Sequence, residues 1–407
     1  MRRGQVLAVV QAGGAGGRMD VLTRERAKPA LPFGGVHRLI DFPLSSLVHS
    51  QVSDVWVSLE YQVTSLDDYL AGGRPWSLDR NRGGFRRMVP QTGTGPTSEE
   101  GFAQGNADLL LKMAADLAAR GPEHVLVSSA DHIFNMDLVP VVEEHVARGS
   151  AATVVTAEVT RKTASENVAV VVGSDGVVQE LEVKVARPST GTVATEIFLY
   201  RTDALLETLS ALRAELDEAV EGDSTGLGDF GEHLLPRLIE TSSVRAVPIE
   251  GYWRDLGQPA TYLQGHRDLL AGKIDVFDHP DRPVISHWPD RPAARIRHTA
   301  GLANSLVSPG CVVAGEVDGC VLGPGVVVEK GARVTDSVIF DDVVIASGAV
   351  VHTAVIDEGC MVGSKARIGA APSRRQARDE EIVLVGTGST VDSAIEPGAR
   401  LEPGTTA

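Results

Sequence analysis

A six-residue repeat in the last third of the chain limits its possible folds more than any other feature of the sequence. From residue 320 onward, every sixth position carries an apolar or small side chain: Cys320, Val326, Ala332, Val338, Val344, Val350, Ile356, Val362 and Ile368. Pro324, Gly325 and Gly331 stand between them, as turn residues do. Neither an α-helix nor an ordinary hairpin has this period, whereas a β-solenoid with three short strands per coil does. A run of hairpins with coincidental spacing is the alternative.

The first two thirds of the chain alternates strand-like and helix-like segments. Continuous apolar runs at Val6–Val10, Val55–Leu59 and Val125–Ser128 are typical of buried parallel strands. Because such alternation builds an α/β fold, we predict a Rossmann-like, doubly wound, mostly parallel sheet. Ligands of these sheets bind at the carboxyl ends of the strands, where the unusual residues of this sequence lie.

Two helices are predicted from composition. Ala107–Ala119 is rich in Leu and Ala and contains no helix breaker. Leu138–Arg148 predicts a second helix, with Asp137 as its cap and Pro140 tolerated in its first turn.

A chain of 407 residues is too long for one ordinary hydrophobic core, so two domains are expected. We predict a first domain over 1–275, a proline-rich linker over 276–300 and a solenoid domain over 301–407. Self-association would cover the ends and edges of the solenoid.

Charge and cysteine content exclude some classes of partner. A net charge of −16 argues against a general nucleic-acid binder, because phosphate backbones need basic patches. Cys311, Cys320 and Cys360 form no CxxC pair, which favours reduced, packed thiols in a cytoplasmic protein. No stretch approaches the roughly 20 apolar residues of a membrane span, so no membrane partner is expected.

The first predicted strand runs into a glycine-rich loop at Gln11–Met19. Glycines allow close backbone approach to a ligand, and their successive N–H groups can hold phosphate oxygens. The loop is not a Walker loop, because no Gly-Lys-Ser/Thr follows, and it does not fit the dinucleotide pattern GxGxxG. Taken alone, these glycines are equally compatible with a flexible turn.

Further motifs follow the loop in a fixed order along the chain. They are Arg18, Arg26–Ala30, Arg38–Ser45, Gly105–Asp108, Ser129–Ile133 and Tyr252–Gly257. With the C-terminal repeat, this series resembles the glucose-1-phosphate adenylyltransferase family of sugar-1-phosphate nucleotidylyltransferases over nearly the whole chain. The resemblance implies a nucleotide-diphospho-sugar transferase domain followed by a left-handed parallel β-helix, and a tetramer as the expected oligomer.

The resemblance also implies the reaction and its participants. A sugar 1-phosphate attacks the α-phosphorus of a nucleoside triphosphate, with ATP and α-D-glucose 1-phosphate as the expected pair, and pyrophosphate leaves. A phosphate monoester is mostly ionised near neutral pH, so catalysis consists of positioning and charge neutralisation. Mg²⁺ is the expected cofactor, because it needs only one or two carboxylates besides phosphates and waters.

Site residues are implied in the same way. Asp131 and Asp255 would hold the metal, Arg18 the leaving pyrophosphate, and Lys28 the phosphates near the reacting centre, so that Arg18, Lys28 and Asp131 form the catalytic set. The expected nucleotide-binding residues are Ala12, Gly13, Gly14, Gly16, Gly17, Gln62, Gly105 and Asn106. The expected contacts of the sugar phosphate are Lys184 and Asp255, with Glu196 as a candidate at a position that departs from the family pattern.

The sugar side departs from the family pattern. Val183 stands where the family has a sugar-binding glutamate before Lys184, and Val185 replaces a proline. Ala194-Thr195-Glu196 replaces a Ser-Met-Gly stretch. These changes are compatible with another sugar phosphate, with substitute partners such as Glu182 or Glu196, or with a non-catalytic regulatory or effector-binding paralogue. An acyltransferase would need a histidine in the solenoid, where only His352 is available, and would leave the N-terminal motifs unexplained.

Each candidate residue also has a purely structural interpretation. Asp131 could only cap a helix, Asp255 could only pair with Arg254, and Lys28 could be a solvated surface lysine. A packed His132 is favoured over a His132 that binds metal.

Overall fold

The computed structural model describes residues 5–14, 16–81, 83–90, 103–216, 226–274, 276–277, 279–372 and 376–407. Ala15 of the glycine-rich loop lies outside the described residues. The strands of the first region are β1 Val6–Gln11, β2 Pro32–Phe33, β3 His37–Arg38, β4 Asp54–Ser58, β5 Gly84–Met88, β6 His124–Ser129, β7 His132–Phe134, β8 Ala152–Glu158, β9 Val168–Val172, β10 Val178–Val183, β11 Thr192–Arg201, β12 Val244–Pro248 and β13 Trp253–Asp255.

A mixed sheet of nine strands forms the centre of this region. Strands β5, β4, β1 and β6 lie side by side and parallel, which confirms the predicted Rossmann-like sheet for the first domain. Beyond β6 the sheet turns antiparallel through β11, which pairs with β6, β8 and β9. The three predicted strands correspond to β1, β4 and β6, and the continuous apolar sequence of each reflects burial on both faces of the sheet.

Helices and short 3₁₀ segments cover the sheet. The helices are α1 Asp41–His49, α2 Val63–Leu70, α3 Asn106–Lys112, α4 Ala114–Arg120, α5 Val139–Arg148, α6 Arg161–Ala164, α7 Thr202–Leu216, α8 Leu234–Thr241 and α9 Pro259–Leu270. The 3₁₀ segments of this region are Gly17–Thr23, Lys28–Ala30 and Ala71–Trp76, and another, Asp379–Glu381, lies between two strands of the last third of the chain. None of the described helices combines the length and apolar character needed to cross a bilayer.

Two helix predictions need correction. The single helix predicted over Ala107–Ala119 is wrong, because α3 and α4 are separated at Met113, whose φ of −91° and ψ of −4° interrupt the helix. No Gly or Pro marks this break in the sequence. Helix α5 begins at Val139 rather than at residue 138, and the Asp137 carboxylate accepts the Val139 backbone N–H at 2.9 Å.

The last third folds into a left-handed parallel β-helix made of three six-stranded sheets. Its strands are β14 Arg295–Ile296, β15 Gly301–Ala303, β16 Leu306–Val307, β17 Val312–Val313, β18 Glu316–Asp318, β19 Val321–Leu322, β20 Val327–Val328, β21 Arg333–Thr335, β22 Val338–Ile339, β23 Val344–Ile345, β24 Val350–His352, β25 Ala354–Ile356, β26 Met361–Val362, β27 Arg367–Ile368, β28 Val383–Val385, β29 Thr390–Val391, β30 Ala394–Ile395 and β31 Arg400–Leu401. Strand β14 lies within the range predicted as linker.

The predicted six-residue register drifts along the solenoid. Val327 pairs with Val344, and Val344 with Met361, so these coils contain 17 residues rather than a multiple of six. As a result Val344 and Val350, both members of the six-residue series, are only half-buried. Their neighbours Val343 and Ala349 fill the interior instead.

One hydrophobic cluster joins the solenoid to the α/β region. Leu22, Phe33 and Tyr262 of the first region pack in the same cluster as Phe340 and Leu384 of the solenoid, and all five are buried. The two regions therefore share part of their hydrophobic core.

Candidate active site

A cavity of about 460 Å³ opens at the carboxyl end of β1, lined by Gly13, Gly14, Gly16 and Gly17. Gly16 has a φ of +65°, and a Cβ at this position would lie 2.7 Å from the Cβ of Lys28. Only glycine meets both demands without strain. The glycine loop consequently packs directly on the stem of Lys28.

Lys28, Asp131 and Asp255 meet at the edge of this cavity. The Lys28 ammonium donates a hydrogen bond to the Asp131 carboxylate, and its Nζ lies 3.9 Å from Asp255 Oδ1. The Ser129 hydroxyl donates to the other oxygen of Asp131. Lys28 is only 5 % exposed, so its interpretation as a solvated surface lysine is wrong.

His132 stands between the two aspartates. Its Nε2 atom lies 3.5 Å from Asp131 Oδ1 and 3.5 Å from Asp255 Oδ1. Its Nδ1–H donates to the Thr195 carbonyl at 3.0 Å, which orients the ring. The expectation of a packed histidine is correct for burial, but the ring also faces both carboxylates.

The surroundings shift the pKa values of Asp131 and Glu196 in opposite directions. Burial opposes ionisation of Asp131, but the charges of Lys28 and His132 outweigh it and hold the pKa of Asp131 well below its usual range. Burial tends to lower the pKa of His132, whereas Asp131, Asp255 and Glu196 raise it, and the net shift is upward. For Glu196, burial and then the repulsion of Asp131 and Asp255 raise the pKa to about 7.

Glu196 enters the cavity because β11 is irregular at this point. The pairing of β11 with β8 shifts register between Ala194 and Phe198, and Glu196 has a left-handed φ of +57°. This conformation is uncommon for a residue with a Cβ. The irregularity turns the carboxyl group of Glu196 toward Asp131.

Gly105 and Asn106 also line this cavity. Gly105 has a φ of +123°, and a Cβ there would lie 2.4 Å from the Gly228 backbone. Asn106 is held on both sides, since its N–H donates to Asp229 at 3.1 Å and its Oδ1 accepts the Phe230 N–H at 2.6 Å.

Three other predicted site residues do not line this cavity. The Ala12 N–H is already bonded to Ser58 Oγ at 3.1 Å, and the Gln62 side-chain amide donates to the Arg24 carbonyl at 2.9 Å. Lys184 is exposed and lines neither this cavity nor the adjacent one. Ala12 and Gln62 therefore adjoin the cavity-lining residues Gly13 and Tyr61 with their polar groups already engaged, and only Lys184 is kept apart from the rest.

A second cavity of about 500 Å³ contains Asp255 together with Trp253, Glu158 and Asn167. Arg18 lines both cavities, and a Cβ at Gly257 would lie 2.8 Å from its Nη2 atom and 2.9 Å from Asp255 Oδ1. Arg18 and Asp255 thus approach each other where the two cavities meet.

The structural alternative for Asp255 is also wrong, because Arg254 pairs with Asp268 at 2.7 Å instead. The cavity residues that sequence reasoning missed include Glu60, Tyr61 and Asp229. Glu60 and Tyr61 follow β4 at the carboxyl edge of the sheet, a position that could have indicated them. Asp229 arrives from a distant loop, and no local pattern points to it.

The donor set fits a divalent cation. One ligand atom each from Asp131, His132 and Glu196 lie within 4.8 Å of one another. Asp255 Oδ1 is buried without a hydrogen-bond partner among the described residues, which leaves an oxygen available to a cation. Carboxylate oxygens are the ligands that Mg²⁺ prefers in proteins.

A glycine loop, two cationic side chains and clustered carboxylates at the carboxyl edge of a parallel sheet define an α/β protein that handles phosphorylated ligands. Comparison with known families is more specific. The sequence model of the family described as nucleotidyl transferase matches residues 7–272, and that of the GlmU-like, C-terminal hexapeptide matches residues 292–391. The chain belongs to the nucleotidyl transferase family.

Several relatives match along nearly their whole length. The chain is 35 % identical to the glucose-1-phosphate adenylyltransferase of Thermomicrobium roseum, over 97 % of this chain and 91 % of that protein. It is 29 % identical to the glucose-1-phosphate adenylyltransferase of Acetivibrio thermocellus, over 98 % and 92 % of the two chains. It is 31 % identical to that of Bacillus cytotoxicus, over 95 % and 100 %.

Proposed function

We propose that this protein transfers the adenylyl group of ATP to α-D-glucose 1-phosphate, which yields ADP-glucose for glycogen or related α-glucan synthesis and releases pyrophosphate. The names and full-length similarity of the relatives support this activity. The observation that carries it is the single cavity in which the glycine loop, Lys28 and Asp131 converge.

The residues of the site suit this chemistry. One oxygen of the sugar phosphate forms a bond to the α-phosphorus of ATP while the bond from that phosphorus to the pyrophosphate oxygen breaks. The attacking phosphate needs no base, since its second pKa is about 6. Lys28 would neutralise charge near the reacting phosphorus, Arg18 would hold the departing pyrophosphate, and the amides of Gly13 and Gly14 would bind the nucleotide.

Asp131 and Asp255 would hold Mg²⁺, and Glu196 is close enough to Asp131 to contribute. When bound, the ion would supply positive charge to the triphosphate. The sugar phosphate would lie beside Glu196 and Asp255, where the two cavities approach each other. We also propose a role for Lys184 there, although this side chain would have to reach in from outside the cavities.

Three broader expectations stay proposals. They are the domain limits of 1–275, 276–300 and 301–407, a tetrameric assembly, and a cytoplasmic location. All three cysteines are buried and unpaired, which supports a reducing compartment.

The test is pyrophosphate release by the purified chain with Mg²⁺, each common nucleoside triphosphate and a panel of sugar 1-phosphates. We expect the highest kcat/KM for ATP with glucose 1-phosphate. A clear preference for another pair would replace the proposed substrates. No turnover with any pair would contradict the proposed enzyme and favour a non-catalytic paralogue.

A further inference from the structure

The segment between Arg18 and Lys28 is fastened to the solenoid at three points. Each of three charged residues in this segment pairs with a charged residue of the solenoid. The pairs are Asp20 with Arg400 at 3.5 Å, Arg24 with Glu402 at 3.0 Å, and Arg26 with Asp357 at 2.6 Å. A segment that carries two proposed catalytic cations is thus held from outside the α/β region.

The Arg26–Asp357 pair is the most deeply buried of these contacts. Arg26 is 8 % exposed and Asp357 is 2 % exposed. The guanidinium also pairs with Glu358 at 3.0 Å and lies over the ring of Phe340, 5.6 Å from its centroid. A buried pair loses far more than an exposed one when one partner is removed, because the remaining charge is left uncompensated.

Arg26 is connected to the active site by a short stretch of backbone and by the packing of Lys28 on the glycine loop. Lys28 follows two residues later, and the intervening Ala27 N–H donates to Ser65 Oγ at 3.0 Å. Lys28 begins the 3₁₀ segment Lys28–Ala30, and its Cβ packs against Gly16 of the glycine loop. A displacement of Arg26 is therefore passed to the Lys28 ammonium and to the loop it supports.

We propose that Asp357 of the solenoid is a positioning residue for nucleotidyl transfer, which acts through Arg26 on Lys28. This inference rests on the proposed function. It makes the solenoid part of the catalytic apparatus, in addition to any part it plays in assembly.

The chain supplies a matched control. Asp336 of the solenoid forms another largely buried pair, with Arg267 at 2.6 Å, but this pair reaches α9 instead of the segment between Arg18 and Lys28. Asp357→Asn and Asp336→Asn each remove one carboxylate charge from the contact between the two regions. Steady-state pyrophosphate release would be measured for both, with melting temperatures as a check on folding.

We expect Asp357→Asn to lower kcat by roughly tenfold or more, with a smaller change in KM for ATP, because misplaced catalytic groups slow the reaction steeply. Asp336→Asn should stay within about twofold of the wild type in kcat. Asp357→Glu, which retains the charge, should recover part of the lost rate. Equal losses of kcat in the two Asn variants would overturn the inference.

Amide hydrogen exchange of the full chain provides a readout that does not depend on activity. Residues 16–30 should exchange faster in Asp357→Asn than in Asp336→Asn and the wild type, and unchanged exchange there would also overturn the inference. If the wild type releases no pyrophosphate, the proposed function fails, and the exchange comparison still decides whether Asp357 orders the segment.

Discussion

Asp255 lies opposite His132 in the antiparallel pairing of β13 with β7, and its Oδ1 atom is 3.5 Å from the Nε2 atom of His132. Since Asp131 immediately precedes His132, this pairing brings two aspartates from distant parts of the sequence to either side of one imidazole. The ring and the Lys28 ammonium together offset the repulsion between the carboxylates. The arrangement is suited to holding a cation and phosphate groups side by side.

The backbone of Glu196 predicts a stabilising substitution. Glu196→Gly should raise the free energy of unfolding by about 1 kcal/mol, because a left-handed φ of +57° strains any residue with a Cβ. Glu196→Gln keeps the Cβ and removes only the charge, so it separates strain from repulsion by the neighbouring carboxylates. Urea unfolding at pH 7.5 measures both. A Gly variant no more stable than the Gln variant would refute the strain argument.

His266 predicts a loss of stability in acid. Its Nδ1–H donates to the Tyr262 carbonyl at 3.0 Å and its Nε2 accepts the Gly34 N–H at 3.3 Å, so both nitrogens are satisfied only in the neutral ring. Burial lowers its pKa to about 4. The unfolded chain binds a proton at this imidazole at higher pH than the folded chain does. The contribution of the neutral His266 ring to the free energy of unfolding is therefore complete above about pH 6.5 and is lost as pH falls toward 4.

The measurement for His266 is the free energy of unfolding at pH 7.5 and at pH 5.5. Wild type should lose about 1.4 kcal/mol over this interval through His266 alone. His266→Gln should be less stable at pH 7.5, but its stability should fall less between the two values. An equal fall in both proteins would show that His266 does not titrate as its environment indicates.

Phe340 predicts coupling between the two regions. Phe340→Ala should destabilise the protein by about 3–4 kcal/mol, because the ring is 1 % exposed within the cluster that spans both regions. Fluorescence gives a selective readout, since Trp56, Trp76, Trp253 and Trp288 all precede the solenoid strands. The urea midpoint followed by fluorescence should fall in the variant, whereas an unchanged midpoint would mean that the regions unfold independently.

The sequence predicted the repeating elements of the fold better than the relations between them. Strands β1, β4 and β6 were evident from continuous apolar runs. The antiparallel direction of β11 was not, since such a run has the same pattern in either direction. The solenoid was evident from its period, but the period did not show that the 17-residue coils place Val343 rather than Val344 in the interior.

For the site, local motifs succeeded and long-range contacts failed. The glycine loop and Asp131 follow strand ends, where the topology of parallel sheets places ligand-binding residues. The place of Asp229 beside Asn106 depends on a loop that the sequence pattern does not orient. Similarly, the resemblance implied Ala12 and Gln62 as nucleotide-binding residues, but it could not show that the Ala12 N–H and the Gln62 side-chain amide are hydrogen-bonded to Ser58 and Arg24.

The most direct test of the account compares wild type, Asp131→Asn and Asp255→Asn in pyrophosphate release from ATP and glucose 1-phosphate at saturating Mg²⁺. Both variants should lose about 10²-fold or more in kcat, as expected when a charged group that stabilises the transition state is removed, while their circular dichroism spectra stay those of the wild type. A folded variant of either aspartate that retained the wild-type rate would contradict the claim that these two carboxylates form the catalytic centre.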